Sequence, residues 1–442
     1  MACTQAPNER ARKVAEDSRK YLLKREGVEV VAPENAIASV DDALRAASLF
    51  RQSELDGLVI QHGSFSPASL SVELVCEAHV PVAMWGIPEA HIEPNPLNCG
   101  SMTSLLSHAA ALTESGCRFT FVHGLPDVEE ARRDIDRFVR TAMVRRALRF
   151  AKVVVIGHTL SGCPACHFDE SEIRRMFGIQ IQHVDLSEVF RCISDLGKGE
   201  VDDDLAELRS RDLLLEGCDA DALRRSCAAH AAVRKIVASS EFVAVAMRCC
   251  PEMLENHKLG ICAVGSRLTD AGIPASCETD VNAALTMLVQ HLYTGRPPFF
   301  ADWIQRDEKT NQVLFWHCGN APASLVNPRF EPRVVSVPRC KDSIAFDFPL
   351  KTGEVTIARL QQTQGRCKML IASGRAVETP PSMKGTYVNV KFEPPVRRLL
   401  DSILRHGFPQ HFSIVYEDIG SELLELAGQL GIEAIMPERR ET

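Results

Sequence analysis

No stretch of this sequence stays apolar for anything near the ~18 residues that a membrane-spanning helix needs, so no membrane partner is expected. A basic surplus is missing too. Lys and Arg number 50 against 58 Asp and Glu, a formal charge of −8. That is the wrong sign for a surface that follows nucleic-acid phosphates, although a local basic pocket stays open. The opening MACTQAPNERARKVAEDSRKYLLKREG is charged and has no apolar core of a secretion signal. The expected location is therefore cytoplasmic. Four familiar motifs are also absent: GxGxxG, the P-loop GxxxxGK(S/T), GxSxG and HExxH. Each absence takes weight from one chemistry: ordinary nicotinamide binding, P-loop hydrolysis, the serine-hydrolase elbow and zincin catalysis.

What remains is a chain of 442 residues, 45% apolar and 24% charged, the balance of a soluble globular protein. Its length suggests about two to four domains. Sixteen cysteines are scattered from Cys3 to Cys367. Without a secretion signal they read as thiols in a reducing compartment, used as small core residues. One pair is spaced CxxC, Cys163 and Cys166, just after the strand-like AKVVVIG. Structural use, a redox pair and half of a zinc site are all open for it, but no second CxxC completes a zinc site.

The first 147 residues alternate short apolar runs with amphipathic stretches. VEVVAP, DGLVIQHG, VPVAMWG and RFTFVHG read as strands. Helical patterns start at Val40 and Ser66, and LLSHAAALTESG reads as a third helix. The pattern predicts βαβ units with a parallel sheet. A long charged helix from Asp127 to Phe150 leads into a second α/β region, 148–297. There AKVVVIG, IQIQHVDL, EFVAVAMR and GICAVG read as strands, with helices near 170–177, 202–213 and 219–238. From 298 to 442 the strands QVLFWHC, GEVTIARL, RCKMLIASG and TYVNVKF alternate and are split by Gly, Pro and Asn. That predicts an antiparallel, β-rich domain closed by helices at PPVRRLLDSILRHG and GSELLELAGQLG. The expected fold class is α/β: two Rossmann-like, doubly wound domains, then a β-rich C-terminal domain with flanking helices.

The densest chemistry lies in GIPASCETDVNAALTMLVQHLYTGRPPFFADW and NQVLFWHCGNAP. Ile273–Cys277 reads as a short buried strand, and Val281 to Leu292 as a helix ending at Gly295. Glu278 then falls where strand becomes helix. Pro298–Ala301 is expected to run parallel to that first strand, so that Asp302 emerges at the same sheet end. Ligands bind at the carboxyl ends of strands in open α/β sheets. His317 ends the strand QVLFWH. Carboxylates with imidazoles would suit Mn²⁺, Mg²⁺ or Co²⁺ better than thiophilic metals. Plainer readings stand beside this one: Glu278 as a helix-dipole partner and Asp302 as a turn residue.

CETDVNAALTML, FFADW and WHCGNAP resemble the core of the L-fucose/L-arabinose isomerase superfamily. GFPQHFSIVYED, with the helix and LGIEAIMP after it, resembles its final domain, and PVAMWGIPEA is weakly similar. The resemblance implies a divalent-metal-dependent aldose–ketose isomerase. It carries the motif Glu to Glu278, the motif Asp to Asp302 and the late motif His to His411, all as metal ligands. The two carboxylates also serve as the acid/base pair, and His317 falls at or near a further ligand. Trimers or hexamers are implied, with first-domain residues of one subunit completing a neighbour's site. Gln410 stands where relatives often carry Asn or His, and this chain is shorter than typical fucose isomerases.

Three residues are candidate substrate contacts: Gln410 for a sugar hydroxyl, Arg248 for an anionic or polar group, and Trp85 as a wall. A surface amide, a structural ion pair and core packing are the respective alternatives. Pentose, 6-deoxyhexose and modified hexose all remain open as substrates. Two other functions compete. One is a catalytically inactive sugar-binding or regulatory relative. The other is a thiol redox enzyme using Cys163 and Cys166, insensitive to chelators.

Overall fold

The computed structural model describes residues 9–78, 80–89, 100–163, 166–211, 213–215, 218–337 and 340–437. Pro164 and Ala165 of the CxxC, and the first eight residues read for a secretion signal, lie outside them. The chain divides into two compact units. One is Met1–Arg146 with Gly428–Gly431, the other Ala147–Ala427 with Ile432–Thr442.

The first unit carries three parallel strands, Leu58–His62, Val82–Gly86 and Thr120–His123, in that order. Helices Val40–Gln52, Ser69–Ala78, Ser101–Glu114 and Glu129–Phe150 alternate with them. A capping box starts the first of these helices. Ser39 Oγ accepts from the Asp42 amide at 3.2 Å, and the Asp42 carboxylate accepts from the Ser39 amide at 3.0 Å. VEVVAP does not become a strand: 28–33 pair with nothing in the sheet. Its residues are exposed or only partly buried, too little apolar contact to hold so short a run in the ladder. The charged opening forms a helix, Glu9–Leu23, that buries Val14 and Leu22.

In the second unit four parallel strands run in the order Gln180–Val184, Lys152–Ile156, Ala244–Met247, Ala275–Ser276. Their core joins Val154, Ile156, Val245 and Met247 to Val233, Leu268 and Met287 from the helices. GICAVG is not a strand but opens the helix Cys262–Asp270. Every residue from Cys262 to Thr269 is buried. A short run that is apolar on all sides has no periodicity to separate strand from helix.

Downstream the chain forms a largely antiparallel nine-stranded sheet. Strands Thr386–Lys391, Gln312–His317, Phe299–Asp307, His411–Val415, Gly353–Thr363 and Arg366–Val377 follow one another. The last pairs back onto the first, so these strands close a barrel. Closure removes the exposed edges of the open sheet. Phe299–Asp307 belongs here and is antiparallel to both neighbours, which corrects the expectation that 298–301 would run parallel to Ile273–Cys277. Its alternating Phe299 and Ala301 point into the barrel core with Phe315 and Phe412, and that apolar face decides the partner.

A buried charge network ties three helices of this unit together. Asp204 accepts from His230 Nδ1 at 2.7 Å and from Arg267 Nη1 at 2.6 Å, with all three side chains buried. Burial alone raises the Asp204 carboxyl, but the His230 and Arg267 bonds outweigh it and hold it at about 2, against an ordinary 3.8. A folded value below the unfolded one means stabilisation present above pH ~4 and lost as pH falls through about 2. Removing the carboxylate leaves buried Arg267 with Glu207 as its remaining carboxylate partner and leaves His230 Nδ1 without its acceptor. Asp204→Asn is expected to destabilise the unit by about 1–3 kcal/mol. Urea unfolding at neutral pH reads that loss, and near pH 2 the gap from wild type should shrink.

Candidate active site

Ala275–Ser276 ends in a turn that bends the backbone hard. Glu278 and Thr279 both adopt the left-handed conformation, with φ of 59° and 55°. For residues other than glycine this costs on the order of 1–3 kcal/mol each. The turn is over-determined. The Thr279 amide donates to Met247 O at 3.0 Å, Thr279 Oγ1 to His158 O at 3.1 Å, and Ser276 Oγ to Asp280 O at 2.8 Å. Glu278 is thereby presented at the carboxyl end of the parallel sheet, with its side chain 28% exposed.

Asp280 follows and does two jobs. One oxygen caps the helix Val281–Thr294 by accepting from the Ala283 amide at 2.9 Å. The other accepts from Arg359 Nη1 at 2.7 Å and from His411 Nδ1 at 2.9 Å. Neither Asp280 nor Arg359 is exposed at all. Burial pushes the Asp280 carboxyl up, but the Arg359 charge and the His411 bond push it down further, so the group stays ionised. Gln361 holds the far side of Arg359, its Oε1 accepting from Nη2 at 2.9 Å.

The Asp280 carboxylate can only accept, so Nδ1 of His411 is the donor in that bond and Nε2 is the nitrogen that faces the other carboxylates. Nε2 lies 3.4 Å from Asp302 Oδ1 and 3.6 Å from Glu278 Oε2. His411 and Asp302 are directly opposed in antiparallel strands, the register that puts two side chains on one face. Gln410 Nε2 is 3.4 Å from the same nitrogen. Donor atoms of Asp302, His317 and His411 all lie within 4.8 Å of one another. Phe300 packs against both imidazoles, with centroids 4.9 Å from His317 and 4.6 Å from His411.

His317 is 3% exposed, and burial depresses its imidazole to about 3. It is a neutral ring, and its buried Nδ1 has no hydrogen-bond partner among the described residues. A carboxylate and two imidazoles with their donor atoms this close, one of them a buried neutral ring, fit a divalent cation. The oxygen and nitrogen donors are those of Mn²⁺, Mg²⁺ or Co²⁺.

The remaining candidates fall elsewhere. Arg248 is held by the fold through all three of its guanidinium nitrogens: Nε and Nη2 donate to Glu252 at 2.5 and 2.9 Å, and Nη1 to the carbonyls of His158 and Thr159 at 2.9 Å. The His158 carbonyl also holds Thr279. Arg248 thus braces the Glu278 turn, and these bonds support the ion-pair alternative. Trp85 is 0% exposed in the core of the first unit, its indole N–H donating to Gly124 O at 2.9 Å. This burial supports the packing alternative for Trp85. His291 donates or accepts at Arg296 O, away from these groups. Cys163 and Cys166 sit beside the site: donor atoms of Cys166, Asp280 and His411 lie within 4.8 Å of one another.

Asp280 and Arg359 were missed as functional residues. Both left a trace. Asp280 stands one residue ahead of an apolar helix, where a capping Asp belongs. Arg359 interrupts the apolar run of GEVTIARL, and a buried charge requires a partner.

Two domain families match the sequence. A model described as the L-fucose isomerase C-terminal domain covers residues 315–437, and one described as the fucose/sulfoquinovose isomerase N-terminal domain covers residues 5–149. Together they take in more than half of the chain. A sulfoquinovose isomerase from Priestia aryabhattai is 28% identical over 91% of this chain and 90% of its own length. Another, from Clostridium sp. (strain MSTE9), is 29% identical over 85% of each. L-arabinose isomerase 1 from Bacillus licheniformis is more distant, 21% identical over 92% of this chain and 86% of its own.

Asp280 would orient His411 from outside the donor set, so its loss is expected to weaken cation binding as well as the buried pairing with Arg359. Asp280→Asn keeps the shape and the helix cap but removes the charge that Arg359 and His411 share. Mn²⁺ affinity, measured by calorimetric titration, is expected to fall about 10–100-fold.

Proposed function

The chain belongs to the fucose/sulfoquinovose isomerase family and is an aldose–ketose isomerase, and from that premise we propose that it interconverts a sulfonated aldohexose of the sulfoquinovose kind with its ketose. The observation that supports the mechanism is the convergence of the Glu278 and Asp302 carboxylates on one nitrogen of His411. The substrate class is taken from relatives that cover about nine-tenths of the chain. Glu278, Asp302 and His411 would hold a divalent cation, Mn²⁺ first among Mn²⁺, Mg²⁺ and Co²⁺, with His317 as a further ligand. When bound, that cation supplies a Lewis acid for the negative charge that develops on the two substrate oxygens.

The chain's own groups do the rest. The hydrogen on C2 of an aldose is a weak acid. One carboxylate of the Glu278/Asp302 pair removes it, and a carboxylic acid of the pair returns a proton at C1 through a cis-enediol. His411 is held in orientation by its Nδ1 bond to Asp280. The Arg359 charge keeps Asp280 an acceptor throughout. Gln410, beside His411 Nε2, is the group assigned to a sugar hydroxyl. The functional regions are 1–147, 148–297 and 298–442, with the reaction in the latter two. We assign the protein to the cytoplasm as a homo-oligomer, a trimer or hexamer. Among the described residues no helix is long and apolar enough to cross a membrane.

Turnover on a panel of sulfoquinovose, L-fucose and L-arabinose with added Mn²⁺ tests the reading. The sulfonated sugar should give the highest kcat/KM, chelation should abolish activity, and Mn²⁺ should restore it. No turnover on any aldose in Mn²⁺-loaded protein would return the chain to the binding-protein alternative. Glu278→Gln and Asp302→Asn should each lose several orders of magnitude in kcat, since each removes a ligand and a proton-transfer group together. Isomerisation in D₂O should place deuterium at C1 of the ketose or C2 of the aldose. Complete C2-to-C1 transfer of label with no solvent deuterium would instead mean a hydride shift, leaving both carboxylates as ligands alone. Light scattering on the eluting protein reads the trimer or hexamer directly.

A further inference from the structure

The proposed reaction does not use the CxxC pair, yet the fold sets it against the carboxylate on which that reaction depends. Cys163 and Cys166 are free thiols with their sulfurs 2.9 Å apart. Both sulfurs and a Glu278 oxygen lie within 4.8 Å of one another. The thiols are held in place from two directions. The Cys166 amide donates to Cys163 O at 3.0 Å, and Asn282 Nδ2 donates to His167 O at 3.2 Å. Asn282 lies on the helix that Asp280 caps, so one helix start anchors both His167, next to Cys166, and the His411 brace. Cys166 is fully buried, and a soft, buried pair of sulfurs beside a carboxylate is a donor set with its own metal preference.

The geometry points to a second cation site, formed by Cys163, Cys166 and Glu278, that takes a thiophilic divalent ion of the zinc class and draws Glu278 away from the hard-donor set. Zinc binds thiolate at about 2.3 Å and carboxylate at about 2.0–2.2 Å, so the donors of one tetrahedral ion stand roughly 3.5–3.8 Å apart. The two sulfurs need to separate by somewhat less than an ångström to reach that spacing. Three protein ligands leave the fourth position to water. Each thiol releases its proton to solvent as its sulfur binds. Two thiolates favour Zn²⁺ or Cd²⁺ strongly over Mn²⁺ or Mg²⁺. The binding claim stands on these residues alone, whereas its consequence, inhibition, rests on the isomerase reading above.

The test uses the full chain, reduced and stripped of metal, titrated with Cd²⁺ while the sulfur-to-cadmium charge-transfer absorbance is followed. Wild type should show a saturating band at one ion per chain that is missing from Cys163→Ser/Cys166→Ser. Because Cys166 is buried, Cys163→Ser alone, at a half-buried position, serves as the milder variant and should lose most of the band. In Mn²⁺-loaded enzyme, added Zn²⁺ should cut wild-type turnover at least tenfold and leave Cys163→Ser, with its Mn²⁺ activity intact, little changed. An equal Cd²⁺ band in wild type and both variants would overturn the site. Equal zinc inhibition of wild type and Cys163→Ser would overturn its sharing of Glu278. A protein with no isomerase activity at all would still give the cadmium result, so failure of the site and failure of the functional reading remain distinct.

Discussion

Asp280 and Arg359 meet 2.7 Å apart with neither side chain exposed, and the candidate site hangs on that contact. Two buried charges are tolerated only when each is matched and hydrogen-bonded, and removing either one of such a pair typically costs about 3–5 kcal/mol. Here the matching spans two architectural parts of one unit. Asp280 starts the helix that follows the last strand of the parallel sheet, while Arg359 lies in a barrel strand. The pair therefore fixes the sheet edge against the barrel wall at the point where Glu278 from one faces Asp302 from the other. His411 reports the alignment, because its ring is held by Asp280 on one nitrogen and faces both carboxylates with the other.

The strained turn makes sense against this frame. Two consecutive non-glycine residues in the left-handed region are unfavourable in isolation. They persist because Thr279 is bonded to two carbonyls, those of Met247 and His158, and because Asp280 is locked by Arg359. The turn delivers Glu278 to the centre of the site while its neighbour Asp280 points the opposite way into the buried network. Arg248, bound to the same His158 carbonyl, belongs to that support. Charge and backbone geometry thus serve one end, a carboxylate held in a fixed position but left partly open to solvent.

The donors around Glu278 divide by softness. On one side are Asp302, His411 and His317, oxygen and imidazole nitrogen suited to hard or borderline cations. On the other are the sulfurs of Cys163 and Cys166. A carboxylate binds either kind, so Glu278 is the residue over which the two sets compete. The burial that makes His317 a neutral imidazole also keeps the Cys166 thiol protonated, since desolvation disfavours every charged form alike. A cation supplies what burial withholds, a partner for the neutral imidazole or a driving force for thiol ionisation.

Local patterning by itself determined the element order: parallel α/β segments first, an antiparallel β-rich segment last. Period and punctuation carry that information, as in the helix from Val281 to its glycine stop at Gly295, which the structure ends in the left-handed conformation. Where patterning was silent, it misled. GICAVG is apolar on all sides and became a helix, and VEVVAP found too few contacts to join a sheet. The motif strings brought Glu278, Asp302, His317 and His411 to attention one by one, but the expected route for Asp302, along the same parallel sheet as Glu278, was wrong. Only the tertiary structure decided that a barrel strand carries Asp302 across from His411, that Trp85 is core and that Arg248 is a brace. It alone disclosed Arg359 as the partner of Asp280, 79 residues away. The reason is physical: the partner of a buried charge is chosen by three-dimensional closure, and no spacing along the chain encodes it.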